Sequence, residues 1–341
     1  MDRRSLARLA VVVAGFAAPT GCATLAEGWA PTIFAAVSGA SWAPSAACGQ
    51  TPSADEAPAS PDAASSETPE SAASNLALSH DAALRLTVSV MIDGKGPFNF
   101  VIDTGSDRTV ISRDLASRLE LPKGPDVLLH GTAGSKQVET VVIGRLSIGN
   151  RVVKAIDAPV LETSDLGAEG MLGIDSLRDE HVVMDFKNRT LSATPSSSDD
   201  LGAFAIIVRG RSRFGQLILV DAQVRGRKVY VIVDSGAQNT IGNLALQRLL
   251  TSRGQSPDER ALAEEISVTG QTSTAEIQGV AEMHIGALTI RNMRLAFADL
   301  HTFDRYGLSD KPAMLLGMDV LSLCDRVTVD FDRREATFTL R

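Results

Sequence analysis

Two aspartates stand in nearly identical surroundings. Residues 98–112, FNFVIDTGSDRTVIS, place Asp103 after a run of apolar, β-forming residues, and residues 229–243, VYVIVDSGAQNTIGN, place Asp234 in the same position. One Asp-[Thr/Ser]-Gly sequence is weak evidence, because a strand that ends in an Asx turn gives the same pattern. Two copies favour a twofold-like packing in which the turns meet and the carboxylates face each other. Two such carboxylates cannot both ionise easily, so they share one proton and provide a base beside an acid.

The elements that must position these aspartates form an internal repeat. Each copy begins with a predicted hairpin that leads into the aspartate, continues with a short helix and a second hairpin, and reaches an apolar-apolar-Gly strand. The paired segments are 84–106 and 217–237, 112–121 and 243–250, 127–143 and 266–280, and 171–173 and 315–317. A single final strand is predicted in each copy, and a surface insertion at 251–265 accounts for the greater length of the second. The repeat predicts two β-rich lobes.

On these residues the sequence resembles the retropepsin-like aspartic proteases, in the form of bacterial members that fuse two halves of retroviral-protease size. The resemblance covers residues 80–341 and rests on both Asp-x-Gly turns and both closing glycines. It implies an all-β fold of two homologous retropepsin-like β-barrel lobes, a pepsin-like pseudo-dimer with short helices. The lobes are expected at 76–195 and 201–341, with a Pro-Ser-Asp joint between them.

The resemblance also implies what each residue of the motif does. Asp103 and Asp234 would be the catalytic pair and would hold a water that attacks a peptide carbonyl, with no metal, cofactor or covalent intermediate. The hydroxyls of the next residue in each copy would hydrogen-bond across the lobe interface, and the glycines would let backbone N–H groups approach the carboxylates. These supporting residues are Thr104, Gly105, Ser235 and Gly236.

A difference between the two copies follows the glycine. Ser106 is expected to donate a hydrogen bond to the outer oxygen of Asp103, which Ala237 cannot do for Asp234. The pair is therefore expected to be electrostatically unequal.

The second hairpins are expected to be flaps that close over an extended peptide. Their predicted tips are 131–134 and 269–272, since glycine there permits hinge motion, although an ordinary glycine-bearing turn explains these residues equally well. Neither hairpin contains the tyrosine of a pepsin-type flap, which favours the retroviral type with two flaps.

Other polar residues have simpler structural explanations. Asp175 and Asp319 follow the closing glycines and are predicted to N-cap short helices. Asp185 and Asp330 are predicted to be strand-end residues, and Cys324, in the run VLSLC, a packed core thiol. The five histidines lack metal-ligand spacing, and no Gly-x-Ser-x-Gly elbow is present.

The N-terminal part is typical of an exported protein. Residues 1–22 have a basic start and an apolar core, and Gly21-Cys22 resembles a lipobox with Pro19 where leucine is usual. Lipidation of Cys22 and ordinary cleavage nearby both fit this sequence. Residues 23–75, rich in Ala, Pro, Ser, Asp and Glu, are expected to be a disordered tether.

The charge of the chain limits the classes of molecule that it is expected to bind. The 341-residue chain has a formal net charge of −8, which argues against nucleic acid. The expected protein is a monomeric endopeptidase acting on extended polypeptide, in the periplasm or anchored to the membrane of the cell envelope. Two alternatives stay open: a non-catalytic peptide-binding module of the same fold, and a narrow processing enzyme with one envelope partner.

Overall fold

The computed structural model describes residues 85–177, 180–195, 205–213, 216–251, 261–266, 270 and 272–340. It also describes five short strands nearer the N-terminus, namely β1 (Ala10–Val12), β2 (Phe16–Ala17), β3 (Thr32–Ala35), β4 (Leu76–Ala77) and β5 (Ser79–His80). Cys22, Cys48 and the predicted tether, apart from β3, lie outside the described residues, as do the centre of the joint and the insertion at 252–260. Among the described residues, no helix has both the length and the apolar composition needed to cross a membrane.

The first half is built around a closed six-stranded barrel. Its elements are β6 (Leu86–Ile92), β7 (Lys95–Ile102), β8 (Val110–Ser112), α1 (Arg113–Arg118), β9 (Val127–Gly131), β10 (Gly134–Val138), β11 (Thr140–Ile148), β12 (Arg151–Leu161), α2 (Thr163–Leu166), β13 (Gly170–Leu172), α3 (Ile174–Leu177), β14 (Glu180–Asp185) and β15 (Thr190–Pro195). The barrel order is β11-β12-β8-β13-β7-β6, and β11 closes it by pairing with β6. The β6–β7 turn has positive φ at Asp93 and Gly94, as a tight hairpin requires.

The second half repeats this barrel. Its elements are β16 (Ala205–Arg213), β17 (Gln216–Val224), β18 (Arg227–Val233), β19 (Ile241–Gly242), α4 (Leu244–Thr251), β20 (Ala261–Ile266), β21 (Thr272–Ile285), β22 (Leu288–Phe297), α5 (His301–Arg305), β23 (Ala313–Leu316), α6 (Met318–Leu321), β24 (Arg326–Asp330) and β25 (Glu335–Thr339). The order β21-β22-β19-β23-β18-β17 is closed by the pairing of β21 with β17. The prediction of a two-lobed all-β fold is confirmed.

A shared sheet joins the halves. The prediction of one final strand per copy is wrong, since each segment is a hairpin, β14–β15 and β24–β25. In each hairpin an aspartate at the end of the first strand stabilises the turn: Asp185 accepts the N–H of Asn188, and Asp330 accepts that of Arg333. Strand β14 pairs with β24, so the sheet β16-β25-β24-β14-β15 crosses between the halves. The Arg326–Asp185 ion pair, at 3.0 Å, adds to this junction.

The extra length of the second half is not confined to the predicted insertion. Residues 261–265 of that segment belong to β20. Part of the surplus lies in the loop between β22 and β23, here called the α5 loop (298–312), which corresponds to a shorter α2 loop (162–169) in the first half. Its residues Phe303, Tyr306 and Leu308 are buried in a hydrophobic cluster. The α5 loop is therefore a packed part of the second half.

Short N-terminal strands add to sheets of both halves. Strand β1 pairs in parallel with β9, and β2 pairs antiparallel with β20. Strand β3, in the stretch expected to be a tether, pairs with β22.

Candidate active site

The two aspartates end equivalent strands. Asp103 follows β7 and donates its N–H to the carbonyl oxygen of Leu172 at 3.0 Å. Asp234 follows β18 and donates its N–H to Leu316, also at 3.0 Å. The acceptors lie on β13 and β23, which run parallel to the strands that carry the aspartates. Each barrel thus delivers one carboxyl group to its edge by the same backbone contact.

The closing glycines leave room for the turns that follow the aspartates. A Cβ atom on Gly173 would lie 2.3 Å from the backbone of Arg108, and one on Gly317 would lie 2.6 Å from the backbone of Asn239. Contacts this short with backbone atoms cannot be relieved by a rotamer change. The apolar-apolar-Gly pattern therefore has a steric cause.

Hydrogen bonds across the interface fix the two turns to each other. The Thr104 hydroxyl donates to the carbonyl of Val233 and accepts the N–H of Ser235, both at 3.0 Å. The Ser235 hydroxyl donates to the carbonyl of Ile102 at 3.0 Å and accepts the N–H of Thr104 at 3.1 Å. All four bonds are buried, and their arrangement is the one that the resemblance implies for Thr104 and Ser235.

The carboxyl groups face each other at the centre of the interface. Both aspartates are fully buried. A Cβ atom on Gly105 would lie 2.6 Å from the Asp234 carboxyl group, and one on Gly236 would lie 2.3 Å from Cγ of Asp103. Each glycine thus packs against the opposite carboxylate while its own N–H bonds the aspartate of its turn, at 2.7 Å in the first half and 3.0 Å in the second.

Burial and the facing charge act together on this pair. Burial is the larger cause that raises the pKa of Asp103 well above its usual value, and the charge of Asp234 is the next. Besides Asp234, no donor among the described residues reaches Oδ2 of Asp103. The facing pair therefore keeps a shared proton to a higher pH than an isolated aspartate would.

The predicted role of Ser106 is wrong. Its hydroxyl donates to the carbonyl of Arg108 at 2.8 Å instead of to Asp103. The inequality of the pair has a different source, because Asp234 Oδ1 accepts the N–H groups of both Gly236 and Ala237. Asp103 Oδ1 accepts only that of Gly105 among the described residues. Two donors favour the ionised form of Asp234.

A second pair of aspartates braces the turns from behind. Asp175 accepts the N–H and the hydroxyl of Thr109, and Asp319 accepts those of Thr240. The predicted N-cap role is wrong, because both aspartates lie inside their helices; Gly317 occupies the N-cap of α6. Burial is the first cause that raises the pKa of each brace carboxyl group.

The brace threonines were missed by the sequence analysis, although a signal was present. In each copy a threonine stands six residues after the central aspartate, and its hydroxyl also accepts the N–H of the closing glycine, at 3.2 Å in the first half and 3.1 Å in the second. The repeat of threonine, glycine and aspartate was visible, but only the fold shows that they meet.

The remaining predictions concern flaps and polar residues. The first flap, hairpin β9–β10, turns at Thr132 and Ala133, inside the predicted tip. In the second predicted tip, Gly270 and Thr272 are described, and Thr272 begins β21. Cys324 lies in the core, and Asp185 and Asp330 end their strands, as predicted. Among the described residues, no three His, Cys, Asp or Glu side chains lie close enough together to hold a metal ion.

A buried polar cluster beside the pair was not predicted. Asp107, in the turn that carries Asp103, forms an ion pair at 2.8 Å with Arg305 of α5 and accepts a hydrogen bond from Gln216. Burial raises the pKa of Asp107 to about 6 against the opposing effect of Arg305. Burial likewise raises the pKa of Tyr306, with smaller contributions from the charges of Asp107 and Asp234. The α5 loop thus reaches the centre of the site.

Two six-stranded barrels that share a sheet and bring one buried aspartate each to their interface define the class of two-lobed, retropepsin-like aspartic proteases. The model of the aspartyl protease family matches residues 88–176 and 220–320, more than half of the chain. The chain belongs to the aspartyl protease family. A comparison with curated proteins finds no match.

Proposed function

We propose that the protein is an aspartic endopeptidase that hydrolyses extended polypeptides, with Asp103 and Asp234 as its catalytic residues. The observation that carries this proposal is the facing of two fully buried carboxyl groups, one from each half, across glycine turns that leave no side chain between them. A pair that shares one proton can activate water and protonate a carbonyl in the same step.

The surroundings of the pair suggest how the proton is used. Asp234, with two N–H donors, is the better site for the negative charge and takes the proton of the attacking water. Asp103, with its raised pKa, keeps the shared proton and donates it to the carbonyl oxygen of the peptide. The tetrahedral adduct then collapses: the C–N bond breaks as Asp234 passes its proton to the leaving amine, and Asp103 recovers its proton from a hydroxyl of the adduct. The cycle is complete without a covalent intermediate.

Support for an extended substrate comes from the flaps. Strands β9 and β20 each accept a further strand from the N-terminal part of the same chain, β1 and β2. Main-chain hydrogen bonds of this kind bind a peptide irrespective of its sequence, and pockets for alternate side chains provide selectivity. A polypeptide in extended conformation fits this arrangement better than a compact small molecule.

Substitution of each aspartate tests the proposal. Asp103→Asn and Asp234→Asn should each lower the hydrolysis of a peptide library by about 10³-fold or more, because either change removes half of one proton-sharing pair. Asp221→Asn, at an exposed carboxylate, is the matched control and should keep full activity. A wild-type protein that binds the peptides without cleaving them would instead favour the peptide-binding module. Cleavage of a single envelope protein, with the library left intact, would favour the processing enzyme.

We also propose that the protein acts as a monomer at the membrane of the cell envelope. One chain supplies both aspartates, so activity per molecule should be constant on dilution. The lipid anchor would be on Cys22, and the tether would link it to the lobes. Cys22→Ser should then move the protein from the membrane fraction to the soluble envelope fraction without altering its turnover. An unmodified mature N-terminus downstream of Cys22 would contradict the anchor.

A further inference from the structure

The first flap is attached to the opposite half. Its tip residue Thr132 is fully buried, and the carbonyl oxygen of Thr132 accepts the N–H of His301 at 2.7 Å. His130, two residues before Thr132 in β9, stacks on His301; the ring centroids are 4.9 Å apart and the ring planes are inclined by 13°. Nδ1 of His130 lies 2.6 Å from Nε2 of His301. A main-chain and a side-chain hydrogen bond thus join the flap to α5.

The imidazole contact depends on protonation. A hydrogen bond between two ring nitrogens needs one of them to be an acceptor, so it is lost when both rings are charged. Nε2 of His130 is buried and has no hydrogen-bond partner among the described residues, so a proton there would be poorly solvated. Burial, then the charges of Arg305 and His301, lowers the pKa of His130 from 6.5 to about 4.

Among the described residues, the charged groups near His130 belong to α5 and to the turn that carries Asp103. His301 and Arg305 belong to α5, and Arg305 is itself paired with Asp107 of the turn that carries Asp103. The Arg305–Asp107 contact joins α5 to the catalytic turn and does not involve the flap. Opening of the flap would therefore expose His130 without breaking that contact. The Asp107 carboxyl group, whose pKa burial raises to about 6, titrates in the same pH range, but it is present in both wild type and His130→Gln.

The described residues of the second flap include no such histidine pair. Its tip Gly270 lies over α2, the counterpart of α5, where a Cβ atom would approach Oδ2 of Asp165 to 2.6 Å. Each flap thus reaches the short helix of the opposite half, but the histidine pair is found in the first flap. Contact with the short helix of the opposite half is therefore common to both flaps, whereas the titratable histidine contact belongs to the first flap.

We propose that His130 and His301 are positioning residues that hold the first flap down over the catalytic pair and release it as the pH falls. The proposal rests on the proposed function. The closed flap binds fewer protons than the open one, so closure is favoured at neutral pH. As the pH decreases from 6.5, the usual pKa of histidine, to the lowered value of about 4, the equilibrium constant for flap closing should decrease about tenfold per pH unit.

The flap can be tested without catalysis. In the full chain carrying Asp103→Asn, amide hydrogen exchange of residues 128–138 would be measured at pH 7.5 and pH 5, each rate divided by that of an unprotected peptide at the same pH. Protection should fall about tenfold or more at the lower pH. His130→Gln, which keeps a donor and an acceptor but does not titrate, should make protection independent of pH, and His284→Gln is the matched control.

His301→Pro removes the main-chain N–H and the imidazole together, so it tests the whole attachment of the flap to α5. His301 is the first residue of α5, and Leu300 before it is extended at φ −85° and ψ 135°, so proline fits the helix start while it removes the N–H. At pH 7.5 the amides of the flap should be about tenfold less protected than in wild type, while the amides of the shared sheet should be protected as in wild type. In the active protein, KM for an extended peptide should rise about tenfold with kcat nearly unchanged.

Two outcomes would overturn the proposal: the same pH dependence in wild type and His130→Gln, or unchanged flap protection in His301→Pro. If peptides are not cleaved but the exchange results hold, the proposed function fails and the attachment of the flap stands.

Discussion

The two halves agree at the centre of the molecule and differ around it. Each half has a strand-end aspartate, a glycine that packs on the opposite carboxylate, a threonine–aspartate brace and a closing glycine against backbone. These positions are held by close packing against backbone or carboxyl groups and by paired hydrogen bonds, for which few residue types are suitable. The agreement shows that both turns are held in the same way.

The differences lie in loops that surround the cleft. The α5 loop has buried aromatic residues and reaches the first flap and Asp107, whereas the shorter α2 loop contributes Leu166 to a smaller, aliphatic cluster. Asp107 itself corresponds to Gln238 in the second turn. A twofold centre thus has unequal surroundings in the two halves, which would suit the peptide substrate that we propose, since the two ends of a peptide are different.

The closing glycines should give the largest effects, and equal ones, if the halves are equivalent at the centre. Gly173→Ala and Gly317→Ala place a Cβ atom 2.3 and 2.6 Å from backbone. Each should lower the free energy of unfolding by about 3 kcal/mol or more. Gly226→Ala, where φ is +70° and no atom lies within 4 Å, is the control and should cost only about 1 kcal/mol. Urea denaturation measures all three, and tolerance of one closing substitution alone would break the equivalence.

The hydroxyl bonds across the interface come next. Thr104→Ala and Ser235→Ala each leave a buried N–H without its acceptor, which should cost about 2 kcal/mol. The double variant should cost less than the sum, since each hydroxyl bonds the other turn. Ser235→Thr keeps the hydroxyl and copies the first half, so it should be nearly neutral. Additive losses in denaturation would mean that the two turns are not coupled.

The sequence predicted what its local patterns determine. The hairpin turns, the glycine turns and the facing aspartates follow from motifs that occur twice within a few residues of each other. Contacts between distant segments were not predictable: Arg305 meets Asp107 across 198 residues, and β14 meets β24 across the boundary of the halves. Ser106 shows a further limit, because a hydroxyl beside a carboxylate has other acceptors, here the carbonyl of Arg108. Local sequence does not determine which acceptor it takes.

The pair should also differ in its effect on stability with pH. The raised pKa of Asp103 means that the folded state binds an extra proton, so this stabilisation is present below pH 3.8 and is lost as pH rises through the raised value. Asp103→Asn should therefore stabilise the protein at pH 8, by about 1–2 kcal/mol, and have little effect at pH 4. Asp234→Asn should stabilise the protein less at pH 8, because the ionised Asp234 already has two N–H donors. Thermal unfolding at both pH values measures the difference, and equal gains would contradict the inequality of the pair.

The smallest effect is expected from Ser106→Ala, which makes the first turn end in Gly-Ala like the second. The hydroxyl donates to the carbonyl of Arg108, so its loss should cost about 1 kcal/mol of stability or less. The pH dependence of kcat/KM should be unchanged, because no hydrogen bond to Asp103 is removed. If the hydroxyl did stabilise the ionised Asp103, its removal would raise the pKa of the pair and shift the alkaline limb to higher pH. Such a shift would return Ser106 to the role that its sequence suggested and would make the electrostatic difference between the halves a property of this residue.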